Sequence, residues 1–138
     1  MEIIIPDSHR ELLAGPVNVV LTTLMPDGQP QTTPVWCNLE GDEILINTMK
    51  QFQKAKNMQS NPRVTLLAFR VKEPLRNIEV RGQVVEMTED GALQHLDELN
   101  MMYSGTPHFF GDSIPKELSS KFTPLKVRIK PTRVRVEG

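Results

Sequence analysis

One cysteine, Cys37, stands among the 138 residues, so no internal disulfide forms and packing alone must hold the fold. That scarcity fits a reducing cytoplasm, the compartment expected here. The three histidines, His9, His95 and His108, are scattered, with no H-x-x-x-H spacing and no Cys/His cluster, so no metal site is expected. His95, lying among helix formers, is expected at the surface. No G-x-S-x-G elbow occurs and Cys37 has no base close in sequence, which argues against a nucleophilic hydrolase. Cys37 reads as an inert thiol in a strand. No Walker loop is present, and no G-x-G-x-x-G follows a strand, so P-loop and Rossmann nucleotide sites are excluded. The opening Met1-Glu2-Ile3-Ile4-Ile5-Pro6-Asp7 has no basic start and no long apolar run. Neither a signal peptide nor a membrane-spanning helix is expected.

Excess charge of one sign is also missing, since the net charge is −1, which argues against wholesale nucleic-acid binding. The charges are nonetheless segregated. Residues 1–43 hold seven acids and a single base, Arg10, whereas residues 44–72 hold six bases and no acid. Residues 73–118 return to nine acids against three bases, and residues 119–138 carry six bases and only Glu137. Such basic segments either hold an anion or meet acidic partners from elsewhere in the fold.

What is present is a series of short strands. Ser8 to Glu11 has the capping-box pattern, and Gly15-Pro16 closes a short helix. Residues 17–24 read as a strand, Pro26-Asp27-Gly28 as a turn, and residues 29–39 as one returning strand. Gly41-Asp42 turns into a third strand over 43–48, completing a meander. Helix formers fill 51–60 until Asn61-Pro62 stops them. Residues 63–70 and 78–84 read as strands four and five. Thr88 can cap a helix in which Ala92, Leu93, Leu96, Leu99 and Tyr103 fall at helical spacing. A Gly/Pro loop over 104–113 holds His108, Phe109 and Phe110, and residues 125–129 form a last strand before Pro131. The expectation is one domain over 1–138, mainly β with short helices (α+β), built as a closed or nearly closed six-stranded antiparallel barrel, with a sandwich or an open α+β sheet as the alternatives.

Two segments carry candidate chemistry. At residues 47–57 a strand ends at Thr48 and a helix follows, so free N–H groups and partial positive charge favour an anion. Lys50 and Lys54, four apart, would share a helical face and repel, and a phosphate between them would turn that repulsion into charge-assisted bonds. Read blandly, this is an exposed Lys-rich helix. The second segment, Thr32-Thr33-Pro34-Val35-Trp36, sets the only tryptophan beside a proline that cannot donate to a ladder. It offers either a wall for a planar ring or a core Trp at a barrel corner.

In order, Asp27-Gly28-x-Pro30, Pro34-Val35-Trp36, Gly41-Asp42, the strand end at Thr48, Lys54-Ala55-x-Asn57, Asn61-Pro62-Arg63-Val64 and Arg81-Gly82-x-Val84 resemble the pyridoxamine 5′-phosphate oxidase-like split β-barrel superfamily. The resemblance runs through most of the chain and is nearest to the small flavin and deazaflavin (F420)-dependent oxidoreductases. It implies an FMN-binding-like split barrel and a homodimer with a cofactor, F420 or FMN, at each subunit interface. The implied phosphate lysine is Lys54 and the strand-end hydroxyl is Thr48. The implied ring-lining segment is Gln31, Thr32, Thr33, Pro34, Val35 and Trp36, and Lys50, Lys56 and Asn57 complete the candidate set. Gln53 and Phe52 stand where the family has an arginine and a small hydroxyl residue. The chain also has no terminal segment with a substrate-binding Arg and His, so vitamin B6 oxidation is not expected. The implied activity is hydride transfer between F420 or FMN and a small organic substrate, with F420 favoured. Two rivals are a non-catalytic cofactor- or haem-binding protein, with His108 the axial candidate, and a redox-silent domain whose basic patch meets an acidic partner.

Overall fold

A computed structural model describes residues 2–138. Seven strands are formed: β1 (Asn18–Leu24), β2 (Pro30–Val35), β3 (Cys37–Glu40), β4 (Glu43–Met49), β5 (Arg63–Arg70), β6 (Glu73–Thr88) and β7 (Pro124–Glu137). Two α-helices, α1 (Gln53–Ser60) and α2 (Ala92–Ser104), lie between them. The sheet is antiparallel throughout, in the order β2-β1-β5-β6-β7-β4-β3. It curls into half a barrel around a core that includes Val19, Leu21, Ile44, Ile46, Leu66 and Val127. Inward residues alternate with wetter ones along β1 and β5, and each buried Val, Leu or Ile contributes roughly 1.5–3 kcal/mol. Among the described residues no helix is long and apolar enough to cross a membrane.

The expected count of six strands becomes seven because the run over 29–39 breaks at Trp36. Val35 pairs with Val19 of β1, whereas Cys37 pairs with Ile46 of β4. β2 and β3 are therefore the two opposite edges of the sheet, joined in the chain by one residue. The expected meander is replaced by two hairpins, β1–β2 and β3–β4. Their turns lie where Pro26-Asp27-Gly28 and Gly41-Asp42 placed them. Asp27 Oδ1 accepts the Gln29 N–H at 2.9 Å, and Asp42 Oδ1 takes the Ile5 N–H and the Arg10 guanidinium at 3.1 and 2.9 Å.

The later strands outrun their patterns. β6 covers 16 residues, and β7 passes through Pro131 to Glu137. The register between β6 and β7 shifts at Arg81/Gly82, leaving Thr132 without a Cα partner. That bulge accommodates a proline with no N–H to offer. Gly82 is required there, because a Cβ would lie 2.8 Å from both Ile129 Cγ2 and the Lys130 carbonyl. Two capping expectations also change. The capping-box segment yields only a 3-10 turn over Arg10–Leu12 with no side-chain cap. Thr88 accepts the Asp90 N–H at 3.0 Å in the approach to α2, and α2 itself starts after Gly91.

Candidate functional site

The break at Trp36 places an aromatic ring where the two sheet edges meet. Tyr103, near the end of α2, stacks on it with centroids 5.2 Å apart, and Phe109 meets it edge-on at 6.0 Å. The end of β4, the start of α1 and the inner face of α2 close the remaining sides. They enclose a cavity of about 260 Å³ lined by Pro34, Val35, Trp36, Asn47, Thr48, Met49, Phe52, Lys54, Leu96, Leu99 and Phe109. Most of this wall is aliphatic or aromatic, and Lys54 is the one ionisable residue in it.

Burial lowers the Lys54 pKa below its ordinary value. Its Nζ lies 6.0 Å from the centre of the Phe52 ring, and no carboxylate of the described residues lies within ion-pair distance. A partly desolvated ammonium with no counter-charge is a standing cost that an anion removes. Thr48 adds a second unmet demand, because its Oγ1 is buried with no hydrogen-bond partner. Ile44, Ile46 and Thr48 share one face of β4 by strand alternation, so this hydroxyl continues an otherwise apolar row.

On the other face of β4, Asn47 gives its Nδ2 hydrogens to the Ala92 carbonyl (2.9 Å) and to His95 Nδ1 (3.2 Å). His95 Nε2 in turn meets Asn38 Oδ1 at 2.9 Å. His95 is therefore not the surface residue expected: it is 3% exposed. Burial, helped by the positive charges of Lys126 and Arg128, pushes its pKa down to about 4. A neutral ring that donates from Nε2 and accepts at Nδ1 satisfies both contacts. It pins α2 over β3 and β4, which positions Leu96 and Leu99 in the cavity wall.

The structure brings Pro34, Val35, Trp36, Thr48 and Lys54 to one cavity. The remaining candidates lie elsewhere. Helix α1 begins at Gln53, so Lys50 stands outside it and pairs with Glu89 at 3.3 Å rather than sharing a face with Lys54. Lys56 is exposed on the helix. Asn57 is buried and spends its Nδ2 on Thr23 Oγ1 (3.0 Å), Gln31 Oε1 (3.3 Å) and Met25 Sδ (3.4 Å). Asn57 and Gln31 thus tie α1 to β1 and β2. Thr32 is exposed and bonds to Thr22 across the hairpin at 2.8 Å, and Thr33 Oγ1 is buried without a partner. His108 is exposed, with Nδ1 3.7 Å from Asp97 Oδ2, and does not line the cavity.

Sequence reading held Asn47, Met49 and Phe52 only as part of the 47–57 segment and did not single out Leu96, Leu99 or Phe109. Leu96 and Leu99 lay in an apolar helical stripe, which looks the same facing a core or a cavity. Phe109 lay in a loop whose tertiary partner, Trp36, is 73 positions away. Cys37 is buried with its pKa raised to about 12 by desolvation, and its Sγ donates to the Leu13 carbonyl at 3.4 Å. It is an inert thiol.

A model of the pyridoxamine 5′-phosphate oxidase family matches residues 5–135. A solved structure described as an F420 reductase is 26% identical with a TM-score of 0.79, over 95% of this chain and 98% of that one. A conserved hypothetical protein from Mycobacterium tuberculosis is 24% identical with a TM-score of 0.71, over 99% and 86% of the two chains. HupZ of Group A Streptococcus is 18% identical with a TM-score of 0.68, over 96% and 94%. These last two likenesses speak for the fold alone. No curated protein matches the chain.

Proposed function

The chain belongs to the pyridoxamine 5′-phosphate oxidase family, and on that premise we propose that it is a small oxidoreductase transferring hydride between bound F420, or FMN, and a small organic substrate. The observation that carries the reading is Lys54, a half-buried ammonium without a carboxylate partner at an otherwise apolar cavity. The residues fit such a cofactor. Trp36 and Phe109 offer aromatic surface and Val35 aliphatic surface to a ring, Lys54 a charge to a phosphate, and Thr48 a hydroxyl with no other partner. The ring supplies the redox chemistry when bound. The protein binds and orients it, and the apolar wall excludes water from one face. F420 is favoured over FMN on the likeness to the F420 reductase.

The reading includes a homodimer. A cavity of about 260 Å³ is small beside the ~300–1,000 Å³ of ordinary ligand sites, so one chain would hold the ring end while its partner covers the remainder. Titrating the purified protein with F420, FMN and haem, followed by visible absorbance and calorimetry, tests the proposal. F420 should bind more tightly than FMN, and its affinity should fall as salt rises. Lys54→Ala should weaken either cofactor by roughly ten- to hundredfold, the value of one charge-assisted bond. An unchanged dissociation constant would remove Lys54 from the site, and saturation by haem alone would favour the binding-protein alternative.

A further inference from the structure

The sheet order explains the segregated charges. β5 comes from the acid-free segment 44–72 and β7 from the basic segment 119–138, and both pair with β6. Across these strands Arg63 pairs with Gln83 and Gln83 with Lys130, while Thr65 pairs with Arg81 and Arg81 with Arg133. Paired residues project from the same face of a sheet. Arg63, Arg81, Lys130 and Arg133 are all exposed beside the inward row of Val80, Gly82 and Ile129, so they share the outer face. Two arginines stand directly opposite each other, an arrangement that destabilises a sheet. Acidic relief is scant: Arg81 Nε lies 3.4 Å from Glu79, and among the described residues no carboxylate is within ion-pair distance of Arg63, Lys130 or Arg133.

Arg63 and Arg81 of this patch border a concavity, with Lys130 and Arg133 beside it on β7. A groove of about 380 Å³ lies between β1, β5, β6 and β7 and includes Arg63, Arg81, Thr22, Thr65, Gln83 and Thr132 in its lining. It shares no residue with the cavity at Lys54. Diagonal cross-strand neighbours such as Arg63 and Arg81 stand about 7–8 Å apart at Cα, within reach of one anion of two linked oxyanion groups. Planar guanidinium forks match phosphate oxygens in pairs, and the amide of Gln83 adds neutral donors.

We infer that this outer-face groove is a second anion site, for a ligand bearing a diphosphate or a similarly spaced pair of phosphates. The inference is independent of the redox reading, since it uses none of the cavity residues. Bound there, the anion converts the Arg81–Arg133 repulsion into shared attraction, so the patch is costly empty and favourable filled.

Inorganic pyrophosphate is the probe, titrated calorimetrically into the full chain at constant ionic strength, with thermal unfolding as a second readout. One equivalent per chain should bind saturably. Arg81→Gln and Arg133→Gln should each weaken binding at least tenfold, Arg81→Lys should fall between them and wild type, and Lys121→Gln should change it less than twofold. Without ligand, Arg133→Gln should unfold at or above the wild-type temperature, because it removes a like charge. Pyrophosphate should raise the wild-type midpoint and raise that of the variant less. The inference is overturned by absence of saturable binding, by equal weakening in Lys121→Gln, or by binding that Lys54→Ala abolishes.

Discussion

The Tyr103 hydroxyl grips both backbone groups of Cys37, accepting its N–H at 3.2 Å and donating to its carbonyl at 3.3 Å. The ring that carries this hydroxyl stacks on Trp36 at an interplanar angle of 15°. One side chain of α2 therefore fixes both the tryptophan wall and the crossing from β2 to β3. Tyr103→Phe should keep the stack and cost about 1–2 kcal/mol in urea unfolding, through the orphaned Cys37 groups. Tyr103→Leu should cost more and shift Trp36 fluorescence to the red. An unshifted emission would mean that Trp36 is held by other contacts.

His95 makes stability depend on pH. Its pKa is about 4 in the folded chain against an ordinary 6.5, so the unfolded chain takes up the proton first as pH falls. Stability from this residue is intact above 6.5, declines between 6.5 and 4, and levels off below. The gap between these values corresponds to about 3 kcal/mol at most. His95→Gln, which does not ionise, should flatten the urea midpoint across that window. A slope that persists in the variant would place the titrating group elsewhere.

A second, more acidic window belongs to Glu11. Hydrogen bonds from Arg76 and Arg70 lower its pKa from 4.5 to about 2. The folded chain therefore holds the carboxylate ionised where the unfolded chain would protonate it. Its stabilisation is full above pH 4.5 and is lost as pH falls toward 2. The carboxylate is 45% exposed, and solvent screening holds the effect to about 1 kcal/mol or less. Unfolding of Glu11→Gln between pH 5 and 2 should show a shallower decline than wild type.

Val85 is 51% exposed on β6 beside Met87, which packs partly against the core. An exposed apolar residue at this end of β6, whose outer face is otherwise polar, fits a covered face. Sedimentation at micromolar concentration should give about twice the 15.6 kDa chain mass, and Val85→Asp should shift the distribution toward the single chain. A wild-type monomer throughout that range would remove the dimer from the proposal.

Elements whose signals are local were legible in the sequence. Alternation from Arg63 to Arg70 and the turns at Asp27-Gly28 and Gly41-Asp42 needed no tertiary knowledge, and β5 and both hairpin turns stand where they were read. The division at Trp36 was illegible because residues 29–39 keep strand-like composition through it, and only the partners, Val19 and Ile46, differ. β7 was cut short at Pro131 because a proline ends a regular ladder unless a bulge takes it in, and the bulge depends on Gly82 across the sheet. Of the candidate site, Lys54 and Thr48 could be singled out by their place at a strand-to-helix junction. Lys50 looked equivalent until the start of α1 at Gln53 left it outside the helix. His95 was misplaced because its partners, Asn38 and Asn47, are 57 and 48 residues away in sequence.

β7 pairs with β6 on one side and with β4 on the other, so it is the keystone of the curl. A nascent chain can form β1–β2, β3–β4 and β5–β6 as they emerge, each from neighbours close in sequence. It cannot join β4 to β6 until residues 124–137 have cleared the ribosome. Until then the inner faces of Ile44, Ile46, Ile78 and Val80 have no lid, and the β4 and β6 edges remain open to other chains. Closure must then span the long separation between β4 and β7, which slows it relative to hairpin formation. Before β7 docks, the half-made barrel thus exposes apolar faces and unpaired edges that the finished one hides.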